Sequence, residues 1–405
     1  MRPSTRISGK SETSRSLLGK SVSRNIPSAP DVRFMRQALS LARRGLGRVW
    51  PNPAVGCVLV REGRVVGAGW TQPSGRPHAE RVALDAAGEQ ARGATAYVSL
   101  EPCSHHGKTP PCADALIAAG VARVVAACGD PDPRVSGRGL ARLRAAGVEV
   151  ADGVLAAEAR GLNAGFLSRV LRGRPWVTLK VASTLDGRIA AASGESRWIT
   201  GPRARAEGHR LRGEADAVLT GAGTLVADDP LLTARLPGYE SRQPVRIVLE
   251  GGAPVPSDAK IWETSHLSPV WLLTARADAS RDAELGACGV RVLPVPAGAD
   301  GRPDPAAVLA RLGDEGLTRL LVEAGSALNA AFLGADLVDE IAWFRAPFAI
   351  GGDGLAAIAG FGLAELAAAP RFRPLRRLPL DSDVLEVYQR ESWNFQDGVG
   401  RCLPE

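Results

Sequence analysis

His78-Ala79-Glu80 and, further along, Pro102-Cys103-Ser104-His105-His106-Gly107-Lys108-Thr109-Pro110-Pro111-Cys112 decide how the first half of this chain folds. One imidazole and two thiols are three ligands that suit zinc. A catalytic zinc site takes three protein ligands and leaves one position open for water. Zinc lowers the pKa of a bound water to ~7, so a nucleophile exists at neutral pH. His78 stands at the start of a helix expected over about Pro77–Glu89, and Cys112 near the start of one that opens at Pro111 and ends before Gly120. The positive end of a helix favours a thiolate and an anionic nucleophile. Glu80, two residues from His78, is near enough to reach the water without ligating the metal. A carboxylate there can take the water proton and return it to a ring nitrogen and a leaving amine. A structural zinc site would ask for a fourth protein ligand. The spare His105 and His106 lie inside the Cys–Cys loop and read as solvent or substrate contacts.

Outward from this motif the hydrophobic pattern alternates. A helix with Phe34, Ala38, Leu41 and Ala42 at helical spacing precedes two strands, Val55–Val60 and Arg64–Trp70, joined by an Arg61-Glu62-Gly63 turn. Strands are expected at Thr95–Leu100, Arg123–Cys128 and Val148–Ala151, with a helix at Gly139–Ala146. Residues 154–172 read as helical and end in Arg172-Gly173-Arg174-Pro175, where the domain boundary is placed. A second alternation then begins. Its strands are Trp176–Ala182, Ala217–Thr220, Val245–Leu249, Val270–Leu273, Val290–Val295, Arg319–Val322, Glu340–Phe344 and Val384–Tyr388. Helices intervene near 202–213, 304–313 and 326–333. Such alternation implies α/β sheets covered by helices. The expected division is a disordered basic extension over 1–30, a zinc deaminase domain over 31–172, a second α/β domain over 173–392 and a tail over 393–405.

The bulk numbers agree with two soluble domains. A chain of 405 residues exceeds one ordinary core, and 45% hydrophobic with 23% charged residues is globular composition. No apolar run approaches the ~18 residues of a membrane helix. Residues 1–30 lack the apolar stretch of a signal peptide, so a cytoplasmic location is expected. Those residues hold six Lys/Arg and one Glu, five of the seven net positive charges. The remaining body is nearly neutral, which argues against a broad nucleic-acid surface. Six cysteines without a secretory signal do not suggest a disulfide framework. Cys57 and Cys128 read as small buried hydrophobes on strands.

The second half has no Gly-x-Gly-x-x-Gly, since Gly221-Ala222-Gly223-Thr224 lacks the third glycine. It also lacks a nucleophile–base constellation. That suits hydride transfer, where the cofactor carries the chemistry and the protein supplies position and electrostatics. Polar, glycine-containing clusters follow the strands: Lys180 to Arg188, Ser196 to Thr200, Asp228-Asp229-Pro230, Glu323-Ala324-Gly325-Ser326 and Gly351-Gly352-Asp353-Gly354. Each alone reads as a turn. Together they mark strand ends, where α/β sheets bind ligands. Gly325-Ser326 at a helix start suits a cofactor phosphate.

Eight residues separate Cys103 from Cys112, against the two usual among zinc deaminases. This loop, with Pro51-Asn52-Pro53-Ala54-Val55-Gly56, Leu100-Glu101-Pro102-Cys103 and Asp130-Pro131-Asp132-Pro133-Arg134-Val135-Ser136-Gly137-Arg138-Gly139, closely resembles bacterial bifunctional riboflavin-biosynthesis proteins. In that family diaminohydroxyphosphoribosylaminopyrimidine deaminase is fused to 5-amino-6-(5-phosphoribosylamino)uracil reductase. The likeness covers about residues 31–390. It implies a cytidine-deaminase-like three-layer domain followed by a dihydrofolate-reductase-like α/β domain.

The resemblance also implies roles. Zn2+ is held by His78, Cys103 and Cys112, Glu80 is catalytic, and Asn52 and Lys108 contact the substrate. NADPH is bound by Ala182, Trp198, Thr224, Asp228 and the helix start Gly325, Ser326, Ala327, Leu328, Asn329, Ala330 and Ala331. Ser196, Arg212, Leu232, Arg235 and Glu323 hold the second substrate, with Lys180 and Asp228 near C1′. The guanidinium forks of Arg212 and Arg235 suit a ribose phosphate. Two positions depart from the pattern. Thr71 stands where relatives often carry His, and a hydroxyl carries no proton charge. Glu250-Gly251-Gly252 stands where an NADPH contact in relatives is often Ser. The implied partners are a phosphoribosylaminopyrimidine and further copies of the chain, with no nucleic acid or membrane. Two rival readings are a nucleoside or tRNA deaminase with an accessory domain, and a non-catalytic nucleotide-binding protein. The neutral body and long zinc loop oppose the first. The intact His78, Glu80, Cys103 and Cys112 oppose the second.

Overall fold

The structure, a computed structural model, describes residues 27–105, 110–252 and 254–392. The expected basic extension and tail therefore lie almost wholly outside the described residues. Helix α1 (Ala29–Ala42) begins two residues before the expected Asp31, because the Ser28 hydroxyl accepts the Asp31 N–H and caps it. There follow β1 (Gly56–Arg61), β2 (Arg64–Trp70), α2 (Ala79–Ala87), β3 (Thr95–Val98), α3 (Cys112–Ala118), β4 (Arg123–Ala126), α4 (Arg138–Ala145) and β5 (Glu149–Ala151). The strands form one sheet in the order β2-β1-β3-β4-β5. β1 is antiparallel to β2 and β3, and β3, β4 and β5 run parallel.

Two glycines explain how helices sit so close on this sheet. A Cβ on Gly56 would lie 1.9 Å from the Ala38 carbonyl of α1. A Cβ on Gly69 would lie 2.4 Å from the Ala79 carbonyl of α2. Gly69 pairs with Cys57, the neighbour of Gly56. Adjacent strand residues point to opposite faces, so α1 and α2 cover opposite faces and the domain has three layers.

The expected helix over 154–172 is two helices, α5 (Ala156–Leu162) and α6 (Ala164–Arg172). Asn163 separates them. Its side-chain oxygen accepts from the Ala54 N–H and its amide donates to the Ala54 carbonyl. Cys128 is buried but lies just beyond β4 rather than on it.

The second sheet is built from β6 (Trp176–Ser183), β8 (Ala217–Gly221), β9 (Val245–Glu250), β10 (Val270–Thr274), β11 (Val290–Pro294), β12 (Arg319–Val322), β13 (Glu340–Arg345), β15 (Phe372–Leu380) and β16 (Asp383–Arg390), while β7 (Arg188–Ala190) pairs separately with β14 (Leu355–Ala356). Its order is β11-β10-β9-β8-β12-β6-β13-β16-β15, parallel through β13 and antiparallel for the last two. The helices are α7 (Pro202–Glu214), α8 (Ala222–Asp228), α9 (Lys260–Glu263), α10 (Ala279–Ala287), α11 (Pro305–Asp314) and α12 (Ser326–Gly334). Chain progress runs outward from β8 to β11 and then returns to insert β12 beside β8. That reversal puts a ligand crevice at the C-terminal ends of β8 and β12.

Gly221 to Asp228, read from sequence as turns, is largely the helix α8. Strand β15 was not expected. Its Pro374 and Pro379 oppose a central strand, but it is a sheet edge with an exposed surface, where proline is tolerated.

The halves are not beads on a string. Trp50 of the first half packs against the core of the second. Arg169 donates to the Gly313 carbonyl, and Arg319 donates to the carbonyls of Gly161 and Leu162. At the expected boundary, Arg172, Arg174 and the Val177 N–H all bond the buried Asp339 carboxylate.

Candidate active sites

The N-termini of α2 and α3 bring His78 and Cys112 to Cys103, which lies in the loop between β3 and α3. His78 Nδ1 lies 3.7 Å from Cys103 Sγ and 3.3 Å from Cys112 Sγ. All three ligand atoms are within 4.8 Å of one another. The Cys112 N–H, at the start of α3, donates to Cys103 Sγ at 3.3 Å. Two sulfurs this close cannot both ionise without a cation. Cys103 is held down to about 4, first by the hydrogen bond from the Cys112 thiol, while the same bond and burial push Cys112 up. A divalent cation would replace the shared proton, and one nitrogen with two sulfurs is a donor set that zinc fits. Glu80, 4% exposed, lies one helical step inward on α2. Burial, with the Cys103 charge, pushes its carboxyl up to about 7. A carboxyl in that range can both accept and give a proton near neutrality.

His78, Glu80 and Cys103 face a cleft of about 490 Å³ that also takes in Asn52, Thr71, Arg76, His105, Arg134 and Arg169, with Cys112 buried behind it. Asn52 therefore stands where a substrate contact is expected. Thr71 does not replace a histidine in kind. Its hydroxyl is engaged with the Val55 backbone, accepting from N–H at 3.1 Å and donating to the carbonyl at 3.4 Å. His105 faces the cleft, whereas His106 and Lys108 lie outside the described residues.

Glu101 has a role that its place beside Pro102-Cys103 did not reveal. Its buried carboxylate accepts from the N–H groups of Asp130, Gly137, Gly139 and Leu140. The quoted Asp130–Gly139 stretch is thus a loop wrapped on one carboxylate, and it brings Asp132 and Arg134 to the cleft wall. Phe166, Arg169 and Val170 of α6 form the opposite side. No local motif marks them, because they arrive only by packing.

The second site gathers at the C-terminal edge of the parallel strands. Glu323 follows β12 and donates its N–H to Leu219 of β8. Arg212, at the end of α7, bonds its carboxylate through two nitrogens at 2.6 and 3.0 Å, and Lys180 of β6 joins at 3.3 Å. Burial pushes the Glu323 carboxyl up, but Arg212 and Lys180 outweigh it and hold it down to about 2. Arg212 and Arg235 meet at Thr233, the first donating to its carbonyl and the second to its hydroxyl, each at 3.1 Å.

Of the expected NADPH residues, Ala182 lies on β6, Thr224 in the first turn of α8, and Gly325 at the N-cap of α12. A Cβ on Gly325 would meet only Thr224 Oγ1, at 3.6 Å. That leaves open space over a helix N-terminus, which a cofactor phosphate fits. Ser196 is half-buried and Trp198 is 70% exposed, with the Arg205 guanidinium 4.6 Å over its ring. The neighbouring Arg197 bonds the Asp228 carbonyl at 2.7 Å, which draws this segment to α8. Within α12, Ser326 is buried at the first turn, Ala327 and Ala331 are exposed and Leu328 is half-buried. Asn329 and Ala330 face the core, Asn329 donating to the Ala357 carbonyl, so their side chains are not presented to a ligand. Leu232 is likewise buried, in an apolar cluster with Val248 and Trp262, which leaves its backbone as the part able to meet substrate. Glu250 is tied up: Arg281 holds it at 2.7 Å and Thr274 donates to it.

The comparisons assign a family to each half of the chain. Residues 28–128 match the cytidine and deoxycytidylate deaminase zinc-binding region, and residues 175–385 match the RibD C-terminal domain. The riboflavin biosynthesis protein RibD of Escherichia coli (strain K12) is 46% identical over 354 residues, covering 85% of this chain and 95% of that protein. The RibD of Aquifex aeolicus (strain VF5) is 42% identical over 360 residues, covering 89% and 98%. Among solved structures, Acinetobacter baumannii RibD, form 1, is 40% identical with a TM-score of 0.80, covering 90% of this chain and 99% of that one. A deaminase/reductase from Thermotoga maritima is 36% identical with a TM-score of 0.79, covering 89% and 99%. The chain therefore belongs to the RibD family of bifunctional riboflavin-biosynthesis enzymes, with a zinc-dependent deaminase domain followed by an NADPH-dependent reductase domain.

Proposed function

We propose that the first site removes the 2-amino group of 2,5-diamino-6-(5-phosphoribosylamino)pyrimidin-4(3H)-one, and that the second reduces the ribosyl group of the resulting 5-amino-6-(5-phosphoribosylamino)uracil to ribityl. The Thermotoga maritima relative bears both activities in its name. The observation that carries the reading is the buried Glu80 beside the His78, Cys103 and Cys112 cluster, with Glu80, His78 and Cys103 lining one cleft.

In this reading His78, Cys103 and Cys112 hold zinc. When bound, zinc acts as a Lewis acid that makes water nucleophilic near neutral pH. Glu80 takes one water proton and gives it to the ring nitrogen, then carries the second from the added hydroxyl to the amine, which departs as ammonia. Asn52 orients the ring, and the family resemblance makes Lys108 a second substrate contact. In the second half Ala182, Trp198, Thr224, Asp228 and the run Gly325 to Ala331 seat NADPH, which supplies the hydride. Ser196, the backbone at Leu232, Arg235, Arg212 and Glu323 hold the substrate, the two arginines on its phosphate. Lys180 and Asp228 are the polar groups near C1′. We divide the chain into a deaminase over 31–172 and a reductase over 173–392. We place the enzyme in the cytoplasm as a homo-oligomer, on the family resemblance.

Mass spectrometry of products from the diamino substrate, with and without NADPH, tests the whole reading. Deaminated product without NADPH and ribityl product with it are expected. In Glu80→Gln, ammonia release falls at least ~100-fold, while NADPH oxidation on pre-deaminated substrate persists. Retained deamination in that variant removes Glu80 from the proton path.

A further inference from the structure

His209 has no role in the reactions above, yet its surroundings give it one. It lies on α7 one turn before Arg212 and reaches the loop that carries Arg235. Its Nδ1 is 3.1 Å from the Thr233 carbonyl and 3.3 Å from the Arg235 N–H. One nitrogen cannot donate to the first and accept from the second at once. The shorter contact corresponds to the tautomer with Nδ1–H on Thr233, which leaves Nε2 as a bare acceptor. Among the described residues no group bonds Nε2, and it is not among the buried unpaired atoms. The Thr233 carbonyl also receives Arg212, and the Thr233 hydroxyl receives Arg235. Three nitrogen-bearing side chains thus converge on one residue.

The charges around the imidazole are Arg212 on its own helix, Arg235 on the facing loop and Glu323 at the end of β12. Arg212 is already neutralised by Glu323, which Lys180 also contacts. Arg235 has no such carboxylate, and its bonded partner is the Thr233 hydroxyl. The local balance is therefore positive and the imidazole stays neutral. Burial first, then Arg212 and Arg235, push it down to about 4. A phosphate monoester carries close to two negative charges at neutral pH. Set between the arginines, it would cancel the field that keeps His209 unprotonated.

We propose that His209 is the third group of the phosphate cradle formed with Arg212 and Arg235, and that it takes up one proton from solvent on Nε2 when a phosphate monoester dianion binds. Nδ1–H stays on the Thr233 carbonyl, and Nε2–H becomes a new charge-assisted donor to the phosphate. When the phosphate leaves, the proton returns to solvent. Substrate capture at the reductase site is then proton-linked, and tighter at mildly acidic pH. The inference rests on the reading that Arg212 and Arg235 hold the substrate phosphate.

The test is a histidine-ring NMR titration of the full-length, zinc-loaded protein with and without ribose 5-phosphate. The chain has only five histidines, so His209→Gln assigns the signal. Saturating ribose 5-phosphate should raise the proton affinity of His209 by roughly 300-fold or more in the wild type, enough to protonate the ring near pH 6. In Arg235→Ala the ring should not respond. The His209→Gln protein should bind ribose 5-phosphate several-fold more weakly than wild type near pH 6 and equally well near pH 8. If Arg235→Ala weakens ribose 5-phosphate binding but the wild-type ring titration does not move, the proton link is overturned and the phosphate reading stands. If Arg235→Ala binds as well as wild type, the phosphate reading fails and the inference falls with it.

Discussion

At the residue scale, what a side chain does here is set by which partner reaches it. Asp31 and Glu80 are both buried carboxyls with opposite outcomes. Asp31 receives Arg123 at 2.7 Å and is held down to about 2, chiefly by that hydrogen bond. Glu80 bonds no guanidinium among the described residues, and burial, outweighing the nearby His78, carries it up to about 7. The folded Asp31 carboxyl lies below its ordinary value of 3.8, so its stabilisation is present above that pH and is lost as pH falls toward about 2. Linkage puts the loss near 2 kcal/mol. Urea denaturation of the wild type between pH 6 and 2 should show this drop, and Asp31→Asn should flatten it. An unchanged slope in the variant would show that Asp31 does not control acid stability. Glu80 was legible in the sequence as the proposed proton shuttle because His-x-Glu spacing at a helix start sets a carboxylate beside a metal-ligand candidate. His209 was not legible, because a lone histidine between arginines on a polar helix has no pattern until the Thr233 loop folds against it.

At the element scale, the deaminase cleft depends on one carboxylate holding a loop. Glu101 accepts four backbone N–H groups from Asp130 to Leu140. Glu101→Ala strips all four and should cost about 3 kcal/mol. The loosened loop should also raise the deaminase KM through Asp132 and Arg134 while zinc content stays near one per chain. Metal analysis beside steady-state kinetics checks both parts, and loss of zinc with unchanged KM would refute the assignment. The strands and most helices of both sheets could be read from their apolar periods, since buried parallel strands such as β10 hold continuous apolar runs, here Val270-Trp271-Leu272-Leu273. Helix α8 and strand β15 could not. The glycines and Asp-Asp-Pro around α8 favour turns locally, and packing of Ala222 and Leu225 against the sheet overrides them. The prolines of β15 mask a strand that only pairing with β16 creates.

At the scale of the whole molecule, the two catalytic halves share a boundary that is structural as well as covalent. The loop carrying Asn52 into the deaminase cleft also sends Trp50 against the reductase core, and a Cβ on Gly316 would lie 3.3 Å from Pro51. Trp50→Ala should therefore raise the deaminase KM by about 3- to 10-fold through displacement of Asn52. The reductase kcat and zinc content should hold, and Trp50→Phe should restore most of the affinity. A variant that loses reductase activity equally would indicate general unfolding instead. The sequence by itself determined the His78, Cys103 and Cys112 ligand set, the carboxylate proposed as catalytic, the two α/β alternations and the family. These depend on residue type at short spacing, where a helix N-terminus or a strand period fixes geometry over a few residues. Only the tertiary structure decided the cleft walls from α6, the Glu101-bound loop, the Glu323 network with Lys180 and Arg212, and the setting of His209. Those contacts join residues a hundred or more positions apart in several cases, such as Arg212 and Glu323, and their energy comes from burial and pairing that no local pattern records. The zinc site that the opening motif announced is thus legible alone, but the cleft around it is a product of the whole fold.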